Sequence, residues 1–147
     1  MNAVQLEEYL RERIPLSRAM AVEVRAADAT GVELYAPLAP NINHRDTVFG
    51  GSASAVAILA AWSALHVRMR TEGLQARIVI RRNTMSYERP ITGGFTAKAT
   101  APDEAAWAKL VATLRRGRPA RIRVRATLES GGEPVGELEG EFAVLPA

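Results

Sequence analysis

The stretch SASAVAILAAWSALHVRMRTEG, residues 52–73, decides how the rest of the chain must fold. Ala53, Ala55, Ala57, Ala60, Ala61 and Ala64 are joined there by Val56, Leu59 and Trp62. Apolar side chains thus cover most of a helix's circumference instead of one stripe, and a helix of that kind is enclosed by other elements. Ser52 is the expected N-cap, because its hydroxyl can accept a first-turn amide, and Gly73 the expected stop. The preceding segment APNINHRDTVFGG, residues 39–51, is polar and punctuated, and reads as a loop. The apolar part of the helix, residues 53–67, contains Ser54, Ser63 and His66 and is expected to fall short of a membrane span.

Working outward, residues 3–13 predict an amphipathic helix with Val4, Leu6, Leu10 and Ile14 as its stripe, ended by Pro15. Residues 21–27 and 31–38 predict two strands joined at Ala29-Thr30-Gly31. Beyond the long helix, strands are expected over 76–87 and 95–100, with Arg89-Pro90-Ile91-Thr92-Gly93-Gly94 as their turn. Phe95, Ala97 and Ala99 fall on one face of the second. Pro102-Asp103-Glu104 opens another helix, with Trp107, Leu110, Val111 and Leu114 on one side and Gly117 and Pro119 at its end. Strands over 121–128 and 135–145 close the chain through Ser130-Gly131-Gly132-Glu133-Pro134. Hairpin strands around one enclosed helix predict an α+β fold in which a curved antiparallel sheet wraps a long central helix, the hot-dog architecture.

The 147 residues suit one domain over 1–147. Cysteine is absent, which removes thiolate catalysis, Cys-ligated zinc and disulfides, and suits a reducing compartment. The N-terminal stretch MNAVQLEEYLRERIPL carries charges from Glu7 onward, so no secretory signal is read there and a cytoplasmic location is expected, with no membrane association. Net charge is +3, with a pI near 9.8. That balance admits nucleic acid, coenzyme phosphates or an acidic carrier protein. Arg121, Arg123 and Arg125 alternate with apolar residues, as do Glu137, Glu139 and Glu141 on the next strand, so cross-strand pairing accounts for the run without nucleic acid. No nucleic-acid motif is present. Arg115, Arg116 and Arg118 are either a solvated face or a contact for coenzyme phosphates or a carrier protein's acidic face.

The stretch Ala36-Pro37-Leu38-Ala39-Pro40-Asn41-Ile42-Asn43-His44-Arg45-Asp46-Thr47-Val48-Phe49-Gly50-Gly51-Ser52 resembles the YiiD C-terminal-domain, thioesterase-like family of hot-dog proteins. Ile14-Pro15-Leu16 through Ala19-Met20, Trp62, and Tyr87-Glu88-Arg89-Pro90-Ile91-Thr92-Gly93 extend the likeness over essentially the whole chain.

The resemblance implies hydrolysis of an acyl thioester, either acyl-CoA or acyl-carrier protein, by a homodimer or dimer of dimers. No metal or redox cofactor is expected; CoA or phosphopantetheine enters as part of the substrate. Such enzymes hold the oxyanion on backbone amides where the enclosed helix begins, and Gly50-Gly51-Ser52 supplies that setting. Gly51 is the expected principal donor, assisted by Gly50 or Ser52. Asn43 and His44 are the candidate side chains for orienting or deprotonating water, with Asp46 as an alternative base or as a partner polarising His44. Loop capping is the competing reading for Asn43 and His44. Thr47, Phe49 and Ser52 are expected beside the substrate, as are Asn83, Ser86 and Tyr87 from the other subunit. Phe49 and Trp62 are candidates for shaping the acyl cavity, although a core role for Trp62 is the stronger expectation. One departure stands out: many bacterial hot-dog thioesterases carry an acid two turns into the helix, whereas this helix has Ile58 and Leu59 at that depth and no carboxylate from Ser52 to Arg70. A non-catalytic acyl-thioester binder is therefore the rival reading. A hydratase ranks lower, because Ala39 stands where that class has an Asp five residues before His44.

Overall fold

In the computed structural model, which describes residues Met1–Ala147, the chain runs α1 (Ala3–Arg13), α2 (Leu16–Ala19), β1 (Glu23–Asp28), β2 (Gly31–Ala36), a 3-10 turn (Ala39–Asn41), α3 (Gly50–Thr71), β3 (Ala76–Tyr87), β4 (Phe95–Thr100), α4 (Glu104–Arg115), β5 (Ala120–Ser130) and β6 (Glu133–Pro146). The six strands make one sheet in the order β1-β2-β4-β5-β6-β3. Every pairing is antiparallel. The sheet curves around α3, as the sequence predicts, because alanines let strands approach the helix closely. Ala57, Ala60, Ala61 and Ala64 are fully buried, and the bulk comes from the strands: Leu34, Phe95, Leu128, Leu138 and Phe142. Each such large side chain contributes about 1.5–3 kcal/mol.

The start of α3 departs from expectation. The helix begins at Gly50 and its N-cap is Phe49, which offers no side-chain hydrogen bond; Ser52 is the third helical residue and caps nothing. Tertiary contacts set the boundary instead. Asn41 O accepts from the Phe49 amide at 2.8 Å and Ile91 O from the Val48 amide at 2.9 Å, so the chain is already aimed along the helix axis two residues before Ser52. At the other end, the amides of Gly73 and Leu74 return to the carbonyls of Arg70 and Met69, closing the last turn. The 22-residue helix is also longer than the apolar stretch suggests, and by length and composition alone it could cross a bilayer. Here it forms the core that the sheet encloses.

Two connections also differ. α2 was not expected, and β1 and β2 are trimmed to 23–28 and 31–36. The buried Asn41 amide donates to Met20 O at 2.9 Å and Pro37 O at 2.8 Å, taking both ends of that region out of the sheet. The β5–β6 connection narrows to Gly131-Gly132 between paired Ser130 and Glu133, with φ of 60° and 78°. Both central residues of such a turn must be left-handed, which glycine tolerates.

Register modifies the charge pairing. Arg123 opposes Glu141 and Arg125 opposes Glu139, but Arg121 opposes Ala143 and Glu137 opposes Thr127. Arg125 approaches Glu137 at 3.4 Å, while Glu141 is taken by Arg81 at 2.8 Å. That donated bond holds the Glu141 carboxyl below its ordinary value. β3 lies at one end of the sheet, so one side of its twelve residues is unpaired, with Val79 and Tyr87 exposed along it.

Candidate functional site

The 42–48 segment is a small excursion closed by an Ile42–Val48 bridge. Asn43 organises it. Its Oδ1 accepts from the amides of Arg45 at 2.8 Å and Thr47 at 3.2 Å, and its Nδ2 donates to Thr47 Oγ1 at 2.8 Å and Val48 O at 3.4 Å. Every polar atom of the side chain is thus engaged with the loop. Asp46 occupies a left-handed conformation, φ 62°. His44, Arg45 and Asp46 stand exposed at the tip. Within one chain, then, Asn43 shapes the turn, and no hydrogen bond joins His44 to Asp46.

Where α3 begins, the first amide bonded to a flanking carbonyl is that of Ala53, which donates to Phe49 O at 3.1 Å. The amides of Gly50, Gly51 and Ser52 precede this ladder and have no capping side chain. They carry the positive end of a 22-residue helix dipole. The Tyr87 hydroxyl donates to Gly50 O at 3.3 Å and lies beside this turn. A Cβ on Gly51 would run into the ring of Phe49, so the space that glycine opens there is filled by the chain's own exposed phenylalanine. A ligand reaching the Gly51 amide from that side has to turn the ring aside.

Next to Gly50 is a cavity of about 410 Å³, lined by Thr47, Ala53, Met85, Tyr87, Glu88 and Ile91 among others. Glu88 is the one carboxylate in that lining. Sequence reading passed over it as part of a strand–turn segment, though an acid directly before Arg89-Pro90 at a strand end was the available signal. The register separates the three strand candidates. Tyr87 opposes Gly136 and Asn83 opposes Gly140, positions that alternate with the outward glutamates, whereas Ser86 opposes Glu137 on the outer face. A period of two cannot place Ser86 and Tyr87 on one side. Asn83 lines a separate recess with Arg82, Thr84 and Arg123.

Further along α3, Trp62 Nε1 donates to Ile78 O at 2.9 Å. Its ring stacks on His66 at 4.7 Å, and Tyr9 of α1 lies against both, 4.5 Å from His66 and 6.3 Å from Trp62, so the three rings form a mutual cluster. His66 Nε2 is buried without a partner. Burial, helped by the charges of Arg70 and the N-terminal amine, pulls this imidazole down to about 4. It is therefore neutral near pH 7. No group of three or more His, Asp or Glu side chains is placed to hold a metal ion.

Residues 3–146 match the family described as "Putative thioesterase (yiiD_Cterm)". The chain belongs to that family. Solved structures agree in shape. A protein of unknown function from Chlorobaculum tepidum is 28% identical with a TM-score of 0.93, the alignment covering 99% of this chain and 94% of that one. A putative thioesterase from Shewanella oneidensis is 25% identical, TM-score 0.87, covering 98% and 97%. A thioesterase from Haemophilus influenzae, 12% identical with a TM-score of 0.77 over 99% and 92% of the two chains, shares the fold. Membership in the YiiD C-terminal family assigns thioester hydrolysis, in general terms, to this hot-dog chain.

Proposed function

We propose that the protein hydrolyses an acyl thioester of CoA or of an acyl-carrier protein in the cytoplasm, at the start of α3 and without a metal or redox cofactor. The observation that carries this reading is the run of three uncapped amides, Gly50 to Ser52, at the head of an enclosed helix beside a cavity. Water oxygen bonds to the thioester carbon, and the carbonyl oxygen takes up negative charge against the Gly51 amide with Gly50 or Ser52 assisting. The C–S bond then breaks and the thiolate leaves, gaining the proton that water gave up. Fixed amides suit this step because they need no reorganisation as charge develops.

His44 or Asp46 is the base, delivered from the exposed loop tip, with Asn43 holding that loop in shape and Thr47, Phe49 and Ser52 beside the substrate. The free side of β3 is the seam of a homodimer, itself able to pair into a dimer of dimers. An open strand edge of this length is a template for another strand, and a partner across it would bring Tyr87, with Asn83 on the same side of the strand, near the second site, while Ser86 faces the other way. The isolated loop tip favours a second reading, in which the protein binds acyl thioesters without cleaving them. Thiol release from an acyl-CoA panel separates the two: turnover supports hydrolysis, and saturable binding without release supports the binder. His44→Ala and Asn43→Ala should each lower kcat by at least about tenfold in a folded protein; full activity in both would remove the loop from the mechanism.

A further inference from the structure

A second recess, of about 280 Å³, runs along α3 on the side that carries its half-buried residues, and all nine residues lining it are apolar. Ile14, Leu16 and Met20 of the α1–α2 segment form one wall, Ala55, Ile58 and Trp62 of α3 another, and Ile80 and Phe142 reach in from the sheet. Gly51, Ala55, Ile58 and Trp62 recur at intervals of four, three and four, so they stand in one row along the helix. The recess is thus aligned with the oxyanion-binding turn on its own helix face. Along α3 its wall grows bulkier away from that turn, from Ala55 to Ile58 and Trp62. Its far end is fixed, because Trp62 is bonded to the Ile78 carbonyl and backed by His66 and Tyr9.

Resting on the thioesterase reading above, we infer that this groove receives the acyl chain, that Trp62 is its end wall, and that the substrates are unbranched medium-chain fatty acyl thioesters. Trp62 stands eleven positions beyond Gly51, roughly 16 Å along the helix, which accommodates an extended chain on the order of eight to twelve carbons. The apolar lining offers no partner for a hydroxyl or carboxylate on the chain, so polar acyl groups are disfavoured. A second copy of the protein is the competing occupant of the same surface. The small size of the recess, and the row that Ala55, Ile58 and Trp62 share with Gly51, favour a chain over a helix or strand of a partner.

The test is thiol release from straight-chain acyl-CoAs, butyryl to hexadecanoyl, by the full-length protein. In wild type, kcat/KM should peak between octanoyl and dodecanoyl and fall at least about tenfold by hexadecanoyl. Ala55→Leu, which fills the groove near its head, should lower the decanoyl-to-butyryl ratio of kcat/KM by at least about fivefold. Trp62→Leu should move the optimum to longer chains. A flat profile, or one that Ala55→Leu leaves in place, overturns the inference while leaving hydrolysis itself standing. So does an Ala55→Leu protein whose oligomeric state changes and whose chain-length profile does not. If wild type cleaves none of the panel, the thioesterase reading fails and the groove is judged by binding. S-decyl-CoA, a thioether that cannot be hydrolysed, should then change tryptophan fluorescence saturably in wild type and not in Trp62→Phe. No change in wild type overturns the groove as well.

Discussion

His66 makes stability depend on pH in a way that one substitution can isolate. Its ring packs against both Tyr9 and Trp62, with Nε2 buried and unpartnered. Burial, Arg70 and the N-terminal amine together hold its folded-state value near 4, against an ordinary 6.5. Because the folded value is the lower one, the unfolded chain takes up this proton first as pH falls. Stability is therefore fully present above about pH 6.5 and drains away between there and pH 4. A shift of that size in a group wholly removed from water would correspond to about 3 kcal/mol. His66 keeps part of its surface in solvent, where screening weakens the effect, so about 1–2 kcal/mol is expected. His66→Phe preserves an aromatic ring in the stack and removes the titration. Urea unfolding of both proteins, followed by circular dichroism at steps from pH 7.5 to pH 4.5, gives two stability curves. Their difference cancels the carboxylates common to both and should grow by that amount as pH falls. Parallel curves would refute the link between burial of this imidazole and acid sensitivity.

Other regions give equally direct expectations. Arg68 is 8% exposed; it donates to Pro102 O at 2.9 Å and Glu104 at 2.8 Å, and lies 4.4 Å over the Trp107 ring. Arg68→Ala should cost about 2 kcal/mol in urea unfolding, mostly from the lost carbonyl bond and packing because Glu104 itself is exposed; a change under about 0.5 kcal/mol would mean α4 is not tied to α3 through this residue. Gly132→Ala, at φ 78°, should lower stability by about 1 kcal/mol through left-handed strain in the β5–β6 turn, measured in the same way. Asn41→Ala, which removes two buried donor bonds, should lower stability by about 2 kcal/mol, measured as a fall in the urea midpoint.

Much of the fold was legible before any coordinates. The all-round apolar character of residues 53–67 required an enclosing sheet, and the alternations at Phe95-Ala97-Ala99 and in the arginine strand reported which faces turn inward. Asp103 and the Gly131-Gly132 pair marked a helix start and a turn through local chemistry alone. The site was less legible. Asn43 was recognised as important, but whether its amide faces the loop or a substrate depends on the carbonyls and amides that the turn brings to it. Glu88 lies thirty-eight residues from Gly50 in the chain and reaches the same cavity only because β3 returns along the sheet to the head of α3. Ser86 and Tyr87 are expected together beside the substrate, and the register of β3 against β6 turns them to opposite faces.

Local periodicity and turn chemistry determined the kind and order of the elements, because each depends on a few neighbouring residues. The point at which α3 starts, the three amides left open there, the phenylalanine folded over Gly51 and the apolar groove beside Trp62 were decided only by the tertiary structure. Each arises where segments distant in the chain meet, and composition or spacing within one segment carries no record of what another will press against it.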